Sequence, residues 1–127
     1  MKLFYALALA LALLSGTSHA RAEENRQGRV HHVVIVWLKE PGSQAVRSRY
    51  QEITRSMAKL PGVLSYSVGS AIPSTHELVD SSYDLAVEAV FKDKAALEAY
   101  NANPQHQQAV ATMRPLVQKL VVYEFAE

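Results

Sequence analysis

Leu97-Glu98-Ala99-Tyr100-Asn101-Ala102-Asn103-Pro104-Gln105-His106-Gln107 is the stretch that organises the chain. Asp93 can cap a short helix from Lys94 to Tyr100, with Leu97 and Tyr100 on its inner side. Asn103-Pro104 then restarts helix in the favoured cap and first-turn arrangement, and that second piece runs to about Met113, before Pro115. Two helical pieces meet at a break. His106 precedes Val110 and Met113 by 4 and then 3 residues, so it shares the inward stripe one turn from the helix start. Burial and the helix N-terminus both disfavour an imidazolium there, which keeps a neutral imidazole available as a base. Tyr100, six residues earlier, can reach the same pocket. A base beside a phenol suits removal of a proton next to a carbonyl, with the phenol hydrogen-bonding the developing enolate. The alternative is a Tyr and a His that pin the helix break by hydrogen bonds.

Outward from this stretch, periodicity supplies the other elements. Val30 to Leu38 is rich in β-branched and aromatic residues and reads as a strand, ended by Pro41-Gly42. Ser43 caps an amphipathic helix whose stripe is Val46, Tyr50, Ile53, Met57 and Leu60, with Arg47, Arg49, Glu52, Arg55 and Lys59 on a solvated face. Leu60-Pro61-Gly62 stops it. Val63 to Gly69 alternates, with Leu64, Tyr66 and Val68 on one face and Ser65 and Ser67 on the other. Residues 71 to 82 read as a loop, Tyr83 to Phe91 as a third strand, and Leu116 to Phe125 as a fourth. The order βαββαβ predicts an α+β, ferredoxin-like domain with a four-stranded antiparallel sheet and the helices on one face.

One face of that sheet has no cover. In the first strand Val33, Ile35 and Trp37 oppose Val34, Val36 and Leu38, and in the last Val121, Tyr123 and Phe125 oppose Leu120 and Val122. An apolar surface on both faces of an antiparallel sheet is an association site. The expectation is a homodimer with its sheets facing each other around a cavity or a packed seam.

The first residues differ from the rest. Lys2, the apolar run Leu3 to Leu14 and the small, polar Ser15 to Ala22 read as a secretory signal, residues 1–22, too short to span a bilayer. Ala20-Arg21-Ala22 predicts a mature start at Glu23, with Ser18-His19-Ala20 as a second choice. Residues 23–29 read as a flexible lead-in and 30–127 as the domain. A periplasmic or secreted protein with no membrane attachment after cleavage is expected. The chain has 127 residues, 13 Lys+Arg against 12 Asp+Glu, and no cysteine. Without Lys2 and Arg21, 11 basic residues face 12 acidic ones, a poor balance for binding nucleic acid or an anionic membrane. The missing cysteine removes disulfides and thiolate chemistry.

Three other histidines carry weaker signals. His31 and His32 are strand neighbours that point to opposite faces, so they cannot easily hold one metal ion. His76 lies in the loop with Glu77 and Asp80 at a spacing too loose for a metal site and reads as exposed. No metal is expected.

Several segments in order, His32 to Lys39, Leu60 to Val63, Ser82 to Ala86, Leu97 to Tyr100 and Asn103 to Gln107, resemble the stress-responsive α/β-barrel (Dabb) family over about residues 30 to 125. The resemblance implies a ferredoxin-like monomer whose dimer forms an α/β barrel. It also implies a small, largely apolar or carbonyl-containing ligand bound by His32, Tyr100 and His106. The clearest enzyme of the family, a plant cyclase, implies cofactor-independent lyase or cyclase chemistry with His106 as general base and Tyr100 as oxyanion donor. This chain departs from that enzyme in having no histidine between Tyr83 and Phe91.

Overall fold

The computed structural model describes residues 28–127; the segment read as a signal, residues 1–22, and most of the expected lead-in lie outside the described residues. Strand β1 (Val30–Leu38) leads to helix α1 (Gln44–Ser56), which a 3-10 turn, Met57–Lys59, extends to β2 (Val63–Ser70). Strand β3 (Leu85–Phe91) is followed by α2 (Lys94–Ala102), α3 (Pro104–Met113), a 3-10 turn at Arg114–Leu116 and β4 (Val117–Ala126). The caps form as the sequence predicts. Ser43 accepts from the Val46 amide at 3.3 Å, Asp93 from Ala96 at 2.8 Å and Asn103 from Gln105 at 2.8 Å, each satisfying an amide that the first turn leaves without a partner. Gly62 takes φ +89° in the turn after α1, a conformation that costs glycine little.

The sheet is antiparallel with order β2-β3-β1-β4. Pairing of His32 with Ala89 and Glu124, and of Val34 with Val87 and Val122, sets these side chains on one face, beneath the helices. There the core forms from Val36, Leu38, Leu85 and Phe91, all at most 1% exposed, against Tyr50, Met57, Leu97 and Met113. The opposite face carries Val33, Ile35, Trp37, Val121, Tyr123 and Phe125, with Tyr123 61% and Phe125 54% exposed. At the start of the domain Gly28 donates to the Glu127 carbonyl, and the Glu127 amide donates to Arg29, both at 2.9 Å, which fastens the two ends of the described chain together.

Three local expectations are corrected. Leu64 lies at a register shift between Val63 and Ser65 and is 53% exposed, so it does not share the inner face with Tyr66 and Val68. Strand β3 begins at Leu85 rather than Tyr83, because Asp84 turns its carboxylate onto the Leu38 amide at 2.8 Å. Arg47 is not on a solvated face. Its guanidinium donates to the Asp84 carboxylate at 3.2 Å and to the carbonyls of Asp84 and Pro41 at 3.0 and 2.9 Å, tying the start of α1 to the end of the long loop. Replacing Asp84 by Ala leaves a strand-end amide without its acceptor and a half-buried guanidinium without its counter-ion. A loss of roughly 2 kcal/mol in urea denaturation is the expected result. A change under 0.5 kcal/mol, on the same scale, would show that water replaces the carboxylate at no cost.

Candidate functional site

A cavity of about 480 Å³ opens between the helices and the sheet of a single chain. It therefore lies on the helix side, not between two apposed sheets, because Val34, Val87 and Ala89 on the inner face of the sheet form its floor. Its volume is in the range that accepts a small organic ligand. His32, Tyr100 and His106 all line it, so strand β1 and the two helical pieces converge on one space.

His106 sits in the first turn of α3, with its ring 4.4 Å from that of Tyr100 and tilted by 50°. The helix break brings them together: Asn103 and Pro104 end one helix and start the next, and both side chains turn inward. Burial pushes the His106 imidazole below its ordinary value, a hydrogen bond to the Asn101 carbonyl opposes this, and nearby His32 lowers it further. Nδ1 is buried and has no hydrogen-bond partner among the described residues. The neutral imidazole that burial favours carries one basic lone pair. The ring also packs against Tyr100 across the helix break.

Tyr100 is 3% exposed. Its hydroxyl donates to Met57 Sδ at 3.6 Å, beside Tyr66, whose own hydroxyl lies 2.6 Å from Thr54 Oγ1. Burial raises both phenols above the ordinary tyrosine value, Tyr100 strongly. Tyr100 is therefore a hydrogen-bond donor near neutral pH and not a phenolate. Thr54 and Tyr66 extend the polar lining beyond what the sequence reading identified. Thr54 follows Tyr50 by four residues and precedes Met57 by three, so the inward stripe of α1 contained the signal. Pairing Thr54 with Tyr66 required the fold, because α1 and β2 meet only across the Pro61-Gly62 turn.

His32 and His31 do point to opposite faces. His32 borders the cavity and bonds Glu124 through Nδ1 at 2.8 Å. His31 lies on the open face, stacked on Phe125 at 4.4 Å, with Nδ1 2.8 Å from Glu88 and Nε2 3.0 Å from Glu127. Its imidazole is raised above the ordinary value, first by the hydrogen bond to Glu88, against the opposing effect of burial, and then by Glu127. A raised histidine contributes its full stability below the unfolded value of 6.5 and loses it as pH rises through the higher folded value. Glu88→Gln is thus expected to cost up to about 1 kcal/mol at pH 5.5 and less at pH 9, by urea denaturation at both. An equal loss at both pH values would remove the protonated pair from the account. His76 is exposed, and its Nδ1 accepts from the Leu78 amide at 3.2 Å within the loop.

Comparison with known proteins agrees with this architecture. The family described as the stress responsive A/B barrel domain matches residues 30–127. A Dabb family protein with a ferredoxin-like fold from Mesorhizobium loti superposes with a TM-score of 0.67 at 22% identity, covering 80% of this chain and 98% of that one. A hydroxynitrile lyase from Passiflora edulis gives 0.70 at 18% identity, covering 79% and 94%. A dimeric ferredoxin-like protein of unknown function from Thermobifida fusca gives 0.66 at 20% identity, covering 80% and 93%. No protein of curated function matches in sequence. With its family match spanning all four strands and the helix break that joins Tyr100 to His106, this chain belongs to the stress responsive A/B barrel (Dabb) domain family.

Proposed function

We propose that this protein is exported and acts as a homodimer that binds a small, largely apolar, carbonyl-containing molecule in the helix-side cavity. The cavity itself carries this reading: an apolar floor with histidine, tyrosine and threonine groups gathered at its walls. The open sheet face supports the dimer, since Val33, Ile35, Val121, Tyr123 and Phe125 leave a continuous apolar surface in water. The dimeric neighbour from Thermobifida fusca has the same fold. Light scattering is expected to give a dimer at micromolar concentration, and Tyr123→Asp, which sets a charge in the middle of the seam, a monomer. A monomeric wild type overturns the dimer. Export predicts that protein recovered outside the cytoplasm begins at Glu23, and Edman sequencing that finds Met1 there overturns it.

A second reading, catalysis without a cofactor, is favoured by the unpartnered Nδ1 of His106. A lyase on the same fold adds to it. In this reading Nδ1 takes a proton from the carbon beside a ligand carbonyl, the C–H electron pair becomes the C=C of an enolate, and Tyr100 turns its hydroxyl from Met57 Sδ toward the enolate oxygen. Reprotonation or carbon–carbon bond change then follows from the enolate. Proton NMR in D2O with a panel of methyl ketones tests it: α-hydrogen exchange above the buffer rate is expected for at least one. Binding without exchange across the panel leaves a binding protein and overturns the catalytic reading.

A further inference from the structure

The cavity extends from His106 along α3 to a second, cationic end. Arg114 lines it just past the last turn of α3, is exposed, and forms no ion pair among the described residues. Arg47 and Arg49, in contrast, each hold a carboxylate. Among the described residues, no aspartate or glutamate contributes to the lining. Glu124, the carboxylate paired with His32, sits near the end of β4, while Arg114 precedes its start. The other lining cation, Lys119, has its ammonium 4.4 Å above the Trp37 ring on the far face of the sheet, so Arg114 supplies the positive charge at this end.

We infer that the ligand is an elongated carboxylate: its carbonyl lies at the His106 end, an apolar chain crosses the middle, and its anionic end meets Arg114. The inference deepens the ligand-binding reading above and rests on it. Four arguments support it. Residues 106 and 114 are eight apart on a nearly continuous helical path, about 12 Å at 1.5 Å per residue, which sets the scale of the distance between the two anchor points. Arg114 keeps helical backbone angles, φ −49° and ψ −43°, so its side chain leans back toward the helix N-terminus and over the cavity. A helix C-terminus is otherwise the negative end and repels an anion. Arg114 reverses that sign and offers the fork geometry that carboxylates match. Between the two ends, Val110, Met113 and Leu120 provide an apolar passage without hydrogen-bonding groups in their side chains. A ligand charged in its middle would be desolvated there without compensation.

The test uses 7-oxooctanoate and its uncharged methyl ester, which share the methyl ketone and differ in the terminal charge. Isothermal titration at low salt is expected to show the acid binding about tenfold more tightly than the ester to the wild-type protein. Arg114→Gln should remove the preference and leave ester binding unchanged, and Arg114→Glu should invert it. Equal affinity of acid and ester for the wild type overturns the inference and leaves ligand binding intact. So does a preference that survives Arg114→Gln. If neither the acid, the ester nor any methyl ketone of the exchange panel binds, the ligand-binding reading itself fails and the carboxylate end falls with it. Because Arg114 is exposed and holds no ion pair among the described residues, both variants are expected to melt with the wild type, which circular dichroism checks.

Discussion

Alanine in place of His106 is expected to lower α-hydrogen exchange of a bound methyl ketone by roughly 10²- to 10⁴-fold, the contribution of a positioned base. Ketone affinity should change far less, because the apolar floor is untouched. His106 also packs against Tyr100 across the helix break, so alanine removes two functions at once. His106→Gln separates them: its side chain keeps a planar polar group in that place but has no basic lone pair near neutral pH. Stability close to wild type with exchange still abolished is the expected outcome. Recovery of exchange in the Gln variant would show that His106 matters only as a pin. The pH profile provides an independent reading. Burial holds the imidazole below 6.5, so the neutral base is present at neutral pH, and exchange should fall only as pH drops through that lowered value. Tyr100→Phe should cost about 10²-fold in exchange through the lost hydrogen bond to the enolate, with the acid limb of the profile unmoved.

Phe91→Ala is expected to destabilise the domain by about 3–5 kcal/mol. Phe91 is completely buried at the end of β3, and its ring lies 4.8 Å from Tyr100. Truncation removes the transfer energy of an aromatic ring and opens a void where α2 crosses the sheet. For a domain of about 100 residues, with a total stability of roughly 5–15 kcal/mol, that is a large fraction. Urea denaturation and calorimetry measure it, and a midpoint lowered by well over about 10 °C is expected. The site should suffer as well, because Tyr100 would lose the ring that supports it from beneath the hydroxyl network. Phe91→Leu keeps most of the volume and should cost under about 1.5 kcal/mol. Loss below that figure for alanine would mean that α2 collapses onto the sheet and fills the void.

The sequence was most legible where a single element decides the outcome. Alternation on a strand and the spacing of apolar residues on a helix are local regularities, and they located all four strands, the amphipathic α1 and the break between α2 and α3. The Asn103-Pro104 junction also located the Tyr100 and His106 pair, since a cap residue and a proline fix where the second helix begins. Failures came where two distant segments settle a side chain's fate. Arg47 has the spacing of a solvated residue, but Asp84 and the Pro41 carbonyl arrive from other elements and hold it. Leu64 fits the alternation, but the register shift with β3 moves it out of the inner face. Between the two sheets the expectation was a cavity or a packed seam, and periodicity marks such an uncovered face more clearly than the gap that lies beneath the helices.

By itself, the sequence determined the element order, the apolar excess of the sheet and the pairing of a histidine with a tyrosine across a helix break. Each depends on residues within a few positions of one another, where backbone geometry fixes direction. Only the tertiary structure decided that the cavity lies inside one chain, that Thr54 and Tyr66 line it with Tyr100, that His106 Nδ1 is buried without a partner among the described residues, and that Arg114 stands at the far end without a carboxylate partner among them. Those facts depend on strand register and on how helices seat over the sheet, and their energies come from contacts between residues far apart in the chain, which no local pattern encodes.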